Sequence, residues 1–272
     1  MDLALVRTLP IVKLTLILLL TISKTSIADQ LTIAPNWPGA SSQDVLAVVR
    51  SVDQAITTAT GLNIDKPRYI RYNDNGPITL YRRMPDGKIE IHLNSKNRRW
   101  AQMIYQYSHE LCHVLSNYAN APRNLTGHNW LEESLCEAFS RYGLEVTAEL
   151  WRRDPPYQNW RSYASAIDDY LNNLVQSPRS NAPANWQDWW RSHRTLLLDQ
   201  PVADNRRFNH QWGAELYRQI DGEEWTLLTS LNRRRPTGFM PLSELLKQWA
   251  NDSDTPAALE ILRMHRQLLG GF

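Results

Sequence analysis

Length, composition and charge indicate a globular protein that does not bind nucleic acid. The chain has 272 residues, of which 42% are hydrophobic and 21% are charged, which is ordinary for a chain that buries a core. Its 30 basic and 28 acidic residues give a formal net charge of +2. Such a balance lacks the sustained basic surface that nucleic-acid binding requires, so we expect no nucleic-acid partner.

Residues 1–28 carry the three regions of a secretory signal peptide. Arg7 and Lys13 precede the apolar run LTLILLLTI, and the small residues Ser26 and Ala28 follow it. Because the apolar run is too short for a typical transmembrane helix, we expect cleavage near residue 28. The alternative is that the segment is retained as an N-terminal anchor. The pattern predicts an exported protein, periplasmic or secreted, with no stable membrane span after cleavage.

Helical periodicity follows, and then three strand candidates. Apolar residues in VLAVVRSVDQAI recur at helical spacing, with Ser41 or Ser42 as a suitable N-cap. The segments RYIRYN, ITLYRR and KIEIHLN are typical of strands, and the turn signals DNGP and MPDG separate them. From about Arg98 onward almost every segment has a helical pattern, interrupted by proline-containing loops. This order predicts an α+β fold, in which a small antiparallel sheet is followed by a mainly helical part.

The segment YSHELCHVLSNY combines an amphipathic helix with a metal-binding motif. On a helical projection of residues 104–118, apolar side chains form one stripe, while His109 and His113 point together to the opposite side. Glu110 projects from the same polar half. The His-Glu-x-x-His spacing suits one zinc ion and a glutamate that activates water, but about one chain in a hundred of this length would match it by chance. A third ligand is therefore needed.

A second predicted helix, HNWLEESLCEAFSRYGLE, offers that third ligand. Glu133 lies twenty residues after His113 and shares a helix face with Cys136 and Glu137. This spacing allows the second helix to pack back across the first and to place Glu133 beside the two histidines. The adjacent Glu132 is the alternative ligand, although the apolar pattern directs its side chain towards the rim.

These two segments resemble the gluzincin metallopeptidases. Members of that family have a His-Glu-x-x-His helix and a glutamate ligand about twenty residues later, and the aminopeptidase branch has Trp-Leu-Asn-Glu-Gly-Phe-Ala around that glutamate. WLEESLC, from Trp130 to Cys136, matches this string in register, with Glu133 at the ligand position. The resemblance implies a zincin-like fold in which His109, His113 and Glu133 bind Zn²⁺.

The resemblance also implies roles for further residues. Glu110 would be the general base, and Glu137 has the place of an acidic residue that orients a zinc-binding histidine; a surface salt bridge is the alternative for Glu137. The segment HQWGAELY resembles a Tyr-x-x-Gly-Ala element, and this puts His210 where a tyrosine stabilises the tetrahedral intermediate. Tyr217 is a competing candidate, and helix capping is the alternative role for His210. KIEIHLN would be the edge strand that binds extended substrate.

The two cysteines occupy positions that are usually small residues, commonly alanine, in the resembled aminopeptidases. These positions are the residue before the second zinc histidine and the third residue after the ligand glutamate. Here both are cysteine, Cys112 and Cys136, and the chain has no others. Because each projects beside a zinc ligand, we expect a Cys112–Cys136 disulfide between the two helices. A pair of buried free thiols is the alternative.

The predicted function is that of an exported zinc-dependent metallohydrolase, namely a peptidase that acts on a peptide or protein substrate through a zinc-activated water. The Gly-x-Met-Glu-Asn element of the aminopeptidase branch is absent before residue 100, so aminopeptidase activity is not implied. The alternative function is an exported binding or structural module with a non-catalytic zinc site. The expected organisation is a signal peptide in residues 1–28, a zincin-like α+β core in residues 29–148, and a helical part in residues 149–272 that completes the active-site cleft.

Overall fold

The structure, a computed structural model, describes residues 30–120, 126–199, 206–235 and 237–270, and this part has an α+β fold. The predicted signal peptide lies outside the described residues. The strands are β1 (Leu31–Ile33), β2 (Arg68–Tyr72), β3 (Ile78–Thr79) and β4 (Ile89–Leu93). The α-helices are α1 (Ser42–Thr60), α2 (Trp100–Leu115), α3 (Asn129–Arg153), α4 (Ala164–Val175), α5 (Trp186–Asp199), α6 (Arg206–Gln219), α7 (Leu242–Asp252) and α8 (Thr255–Leu269). Short 3-10 helices span Tyr118–Asn120, Gln158–Tyr163, Pro178–Ser180 and Gly222–Ser230.

The sheet is mixed, and the prediction of an antiparallel sheet is wrong. Its strand order is β1-β2-β4-β3, in which β1 and β4 run parallel to β2, and β3 runs antiparallel to β4. The turn sequences mark chain reversals, but they do not determine which strands become neighbours. Two reversals return the chain to its first direction, so β4 pairs directly with β2 and leaves β3 at the edge. KIEIHLN is therefore an inner strand, and the predicted edge position belongs to β3.

Helix α1 connects β1 to β2. The Ser41 side chain accepts a hydrogen bond from the backbone N–H of Asp44 at 3.0 Å, so Ser41 is the N-cap. The helix ends at Gly61, whose φ of 70° is a left-handed conformation that glycine adopts without strain. Because β1 and β2 are parallel, the chain needs a long crossover between them, which α1 provides. Strand β1 is three residues long and is not predicted from the sequence.

Helices α2 and α3, which carry the two motif segments, cross at close range. A Cβ atom on Gly143 of α3 would lie 2.1 Å from the hydroxyl oxygen of Ser108 on α2. Both residues are buried. Any larger side chain at position 143 would therefore separate the helices, and the glycine allows the two motif segments to face each other.

Helix α6 also packs closely on α3. A Cβ atom on Gly213 would lie 2.7 Å from the Cβ of Glu137 and 2.8 Å from the carbonyl oxygen of Ser134. A larger residue at position 213 would push α6 away from α3. The glycine of the HQWGA segment is therefore what allows His210, three residues earlier, to reach the helix that carries Glu133.

One hydrophobic core extends through residues on both sides of position 148. It includes side chains from the sheet and from helices α1 to α8. The segment NWQDWWRSH contributes Trp189 and Trp190 to this core, where both rings pack on Trp130 of α3. Among the helices in the described part of the chain, none is both long and apolar enough to traverse a lipid bilayer.

Candidate metal centre

The three residues predicted as metal ligands converge on one point. His109 and His113 lie one turn apart on α2, and Glu133 lies in the second turn of α3. One possible ligand atom from each residue lies within 4.8 Å of the other two. His109 Nε2 is 3.2 Å from Glu133 Oε2, and His113 Nε2 is 3.6 Å from Glu133 Oε1. The crossing of α2 and α3 thus brings the whole predicted ligand set together.

The donor atoms and their spacing suit a zinc ion. In a tetrahedral site with metal–ligand distances of about 2.0–2.1 Å, neighbouring ligand atoms are roughly 3.3 Å apart. The two histidine–glutamate distances are close to this value. Two histidines and one carboxylate also leave a fourth coordination position, as in catalytic zinc sites. Imidazole ligands accommodate other first-row metals as well.

The charges of the cluster are coupled. Burial lowers the pKa of His113, but the carboxylates of Glu133 and Glu132 outweigh burial and raise this pKa to about 10. Burial also lowers the pKa of His109, and Glu133 again reverses the effect. The pKa of Glu133 is raised by burial but lowered overall by the two histidines. A divalent cation would replace the protons that this cluster holds, so metal binding should release protons.

Glu132 orients His113, and the prediction that its side chain points towards the rim is wrong. Its Oε1 lies 3.0 Å from His113 Nδ1 and accepts a hydrogen bond from the Ser116 hydroxyl at 2.7 Å. Its Oε2 accepts a hydrogen bond from the side-chain amide of Asn232 at 3.0 Å. A carboxylate on Nδ1 fixes the ring and leaves Nε2 for a metal. The helical pattern missed this role because Asn232 lies 100 residues away in the sequence.

Glu110, the predicted general base, is buried beside the ligand cluster. It is 3% exposed, and its Oε2 accepts a hydrogen bond from the Thr79 hydroxyl at 2.6 Å. Burial raises the pKa of Glu110, against the charges of His109 and His113. A raised pKa suits a carboxyl group that takes up a proton and later releases it. Thr79 belongs to β3, and no motif in the sequence marks it.

Glu137 contacts His210 of α6. Its Oε2 lies 3.2 Å from His210 Nδ1 and 3.3 Å from the Arg141 guanidinium, and it accepts a hydrogen bond from the Tyr105 hydroxyl. Burial would raise the pKa of Glu137, but the hydrogen bond and charge of His210 lower it well below its usual range. Among the described residues, the histidine that Glu137 contacts is therefore His210. The prediction that Glu137 orients one of the zinc-binding histidines is wrong. The Arg141 pair is buried, which contradicts the surface salt-bridge alternative.

His210 lies inside α6 and lines the cleft next to the ligands. In the described residues α6 begins at Arg206, so His210 is four residues inside the helix and the capping interpretation is wrong. Tyr217, the competing candidate, donates its hydroxyl to Glu145 at 2.5 Å and does not line the cleft. Of the two, only His210 is placed to contact a bound molecule.

Tyr105 is a cleft residue that the sequence interpretation missed. It lies one turn before His109 on α2, and its ring packs on that of Tyr170 with a centroid distance of 5.9 Å. The four-residue spacing that aligns His109 with His113 also places position 105 on the same helix face. A local signal for Tyr105 was therefore present in the sequence.

Cys112 and Cys136 lie at disulfide-bonding distance behind the ligands. Their Cα atoms are 5.2 Å apart, and both side chains are completely buried. Cys112 precedes His113 in the chain, and Cys136 Sγ lies 3.7 Å from His113 Nδ1. This geometry supports the predicted disulfide over the alternative of two free thiols. The link joins α2 to α3 at the point where the ligands meet.

The ligand cluster opens into a cleft of about 680 Å³. Ile78 and Thr79 of β3 line it together with Arg206 and His210 of α6. This volume lies within the range of pockets that bind small molecules. The cleft therefore contains a three-residue cluster that could hold a metal ion, a buried carboxylate and a histidine. No protein-family model, curated protein or solved structure matches the chain.

Proposed function

We propose that the protein is a zinc-dependent metallohydrolase of the gluzincin type that hydrolyses peptide bonds. The observation that carries this proposal is the convergence of His109, His113 and Glu133 on one point, with the buried Glu110 beside them. A zincin-like fold for residues 29–148 belongs to the same proposal and is supported by the packing of α2 on both α3 and the sheet. Export, to the periplasm or outside the cell, is supported by the pattern of residues 1–28.

Glu110 is the proposed general base. Zn²⁺ held by the three ligands would supply a Lewis acid and make hydroxide available near neutral pH. Glu110 accepts the proton of the water that attacks the scissile carbonyl and passes it to the leaving amine. Its burial and raised pKa support this role, because the carboxyl group can hold the proton between the two steps.

His210 is the proposed donor to the carbonyl oxygen as that oxygen becomes negatively charged. Glu137 lies 3.2 Å from Nδ1 of the ring, so Nε2 is the ring nitrogen left to donate into the cleft. The close contact of α6 with α3 at Gly213 fixes the ring before a substrate arrives. Such a preorganised donor stabilises the transition state without reorganisation.

Strand β3 is the proposed docking surface for an extended peptide. It is the last strand on its side of the sheet, and both of its residues line the cleft. A peptide can add to such an edge as a further strand through backbone hydrogen bonds. These bonds recognise the peptide backbone itself, so they favour a peptide or protein substrate over other carbonyl compounds.

The alternative is a binding or structural module with a closed, non-catalytic zinc site. Such sites normally have four protein ligands, and these are often cysteine thiolates. Cys112 and Cys136 are the only cysteines of the chain, and they are paired with each other. A disulfide cannot supply a thiolate ligand. The pairing and the open cleft therefore favour the hydrolase.

The mature protein should retain about one equivalent of zinc and should hydrolyse internally quenched peptides in a zinc-dependent manner. We expect a strong chelator to abolish hydrolysis and added Zn²⁺ to restore it, because the metal supplies the Lewis acid. Elemental analysis after dialysis against metal-free buffer measures the zinc, and fluorescence from a broad peptide panel measures hydrolysis.

Two results would contradict parts of this proposal. Folded protein with less than about half an equivalent of zinc, not raised by adding zinc, would contradict the metal site. Stoichiometric zinc without hydrolysis of any peptide in the panel would instead support the binding-module alternative. The two measurements thus separate the metal site from the catalytic function.

His210→Ala should lower turnover by about a hundredfold or more with little change in zinc content. The expected loss reflects the missing donor to the oxyanion, because His210 is not one of the three ligands. His92→Ala is a matched control, since the His92 side chain is similarly exposed (12% against 17% for His210) but lies on β4, outside the cleft. Turnover of His210→Ala equal to that of the control would remove His210 from the mechanism.

A further inference from the structure

Thr79 presents its backbone groups at the open edge of the sheet. In the antiparallel ladder Thr79 is opposite Ile91, and the next residue, Leu80, donates its N–H to the carbonyl of Glu90 at 2.9 Å. Antiparallel strands alternate between hydrogen-bonded and non-hydrogen-bonded pairs, so Thr79 and Ile91 form a non-hydrogen-bonded pair. The N–H and C=O of Thr79 therefore point away from β4, towards the edge that borders the cleft.

The side chain of Thr79 points into the protein and holds Glu110. Its hydroxyl donates to Glu110 Oε2 at 2.6 Å and lies 3.1 Å from the backbone carbonyl oxygen of the same residue. Thr79 is 5% exposed and Glu110 is 3% exposed. Within the described part of the chain, this hydroxyl is the one hydrogen-bond donor to the Glu110 carboxylate. The backbone of Thr79 thus faces the edge of the sheet that borders the cleft, and its side chain contacts Glu110.

We infer that Thr79 is a positioning residue that couples peptide docking on β3 to the general base Glu110. The inference rests on the proposed function and deepens it. A peptide that pairs with β3 takes its backbone hydrogen bonds from Thr79, while the Thr79 hydroxyl fixes the carboxylate. Thr79 then contacts both the docked peptide and Glu110, so this one residue determines the distance between the scissile bond and the general base. A base held in this way is aligned before the substrate arrives.

The residue type fits this role. Threonine is branched at Cβ, so its χ1 angle is restricted and the hydroxyl has a defined direction. A hydrogen bond to a buried carboxylate is stronger than one between neutral groups, and its loss leaves a poorly compensated charge. Valine has almost the same shape and strand preference but no hydroxyl. Thr79→Val therefore removes the contact with little change to the strand.

Thr79→Val should lower kcat for a quenched peptide by about tenfold to a hundredfold, because the base is no longer aligned. KM should stay within about twofold of the wild-type value, since the backbone groups that bind the peptide remain. Zinc content should be unchanged, and Thr79→Ser, which keeps the hydroxyl, should recover most of kcat. Thr147→Val is the matched control, because it removes a fully buried threonine hydroxyl for which the described residues offer no hydrogen-bond partner.

Wild-type kcat in zinc-loaded Thr79→Val would overturn the inference while leaving the proposed function intact. A rise in KM at unchanged kcat would also overturn it, because that result assigns Thr79 to binding alone. Failure of Thr79→Ser to recover kcat would have the same meaning, since the hydroxyl is the group in question.

A double-mutant cycle in urea tests the contact without hydrolysis. Thr79→Val, Glu110→Ala and the double variant should show a coupling of about tenfold in the unfolding equilibrium constant. Effects that add to within about twofold would overturn the inference whether or not the wild type cleaves peptides. A wild type that cleaves no peptide contradicts the proposed function, and the cycle then still decides whether Thr79 holds Glu110.

Discussion

Replacing Glu110 with glutamine should lower peptide hydrolysis by about a thousandfold while zinc and the fold stay in place. The amide can still accept the hydrogen bond from Thr79, but it cannot take up a proton from water. Zinc should be retained because Glu110 is not one of the three converging ligands. We therefore expect turnover to decrease while zinc content and the fold are unchanged.

The stability of Glu110→Gln should equal or exceed that of the wild type in the metal-free protein at neutral pH. Burial raises the pKa of Glu110 in the folded state. When the pKa of a carboxyl group is higher in the folded protein than in the unfolded protein, the protein loses stability as the pH rises from the unfolded-state pKa through the folded-state pKa. The ionised group is thus a cost at neutral pH, and a neutral amide removes that cost. Urea unfolding at neutral pH and at low pH measures the difference.

A surface carboxylate provides the control for this variant. Glu149 lies on α3, is 55% exposed and, among the residues that the structure describes, forms ion pairs with Arg152 and Arg153. Glu149→Gln should keep wild-type turnover, zinc content and stability, because exposed ion pairs contribute little. Glu110→Gln that hydrolyses peptides at a rate comparable to this control would show that the assigned mechanism is wrong.

The convergence of His109, His113 and Glu133 could be predicted because their geometry is local to two helices. His109 and His113 are four residues apart, and this spacing alone puts both rings on one face of α2. The apolar faces of the two helices then require that they pack together, which brings Glu133 opposite the histidines. The prediction for Cys112 and Cys136 rested on the resemblance to the aminopeptidases and on the position of each cysteine beside a predicted ligand. Their Cα atoms are 5.2 Å apart in the structure.

The sheet could not be predicted in the same way, because strand neighbours depend on distant parts of the chain. β1 and β2 are joined by a 19-residue helix, and their pairing has no local signature in either strand. The two turns around β3 are consistent with a meander, but β4 inserts between β2 and β3. The edge position of β3, and with it the proposed role of Thr79, follows only from that insertion.

The residues that orient the site were missed for a related physical reason. The apolar pattern of α3 predicts that Glu132 points towards the rim. In the structure its carboxylate is 13% exposed and accepts hydrogen bonds from Ser116 and Asn232. Polar contacts between distant segments can turn a side chain inward without leaving a periodic signal. A helix pattern therefore identifies which face a ligand lies on more reliably than it identifies the groups that hold the ligand.

Removing the disulfide should lower the unfolding free energy by about 3 kcal/mol and weaken zinc binding. Cys112 and Cys136 are 24 residues apart, and the chain-entropy estimate for closing a loop of this size is roughly 3 kcal/mol. The ends of this loop carry His113 and Glu133. Without the link, only non-covalent contacts between α2 and α3 hold the two predicted ligands together within the described part of the chain, so placing both on one ion costs more. Urea unfolding and competition with a chelator measure the two effects in Cys112→Ala/Cys136→Ala.

Reductant distinguishes the cross-link from the loss of two buried side chains. Dithiothreitol should lower the urea midpoint of the wild type, because partial unfolding exposes the buried bond to the reagent. It should leave the midpoint of the double alanine variant unchanged, because that variant has no bond to reduce. Both cysteines are completely buried, and alanine is a smaller apolar residue that fits the same space, so the packing of α2 on α3 should survive. Alkylation of both cysteines in unreduced protein, or equal midpoints for the wild type with and without reductant, would show that no disulfide stabilises the ligand helices.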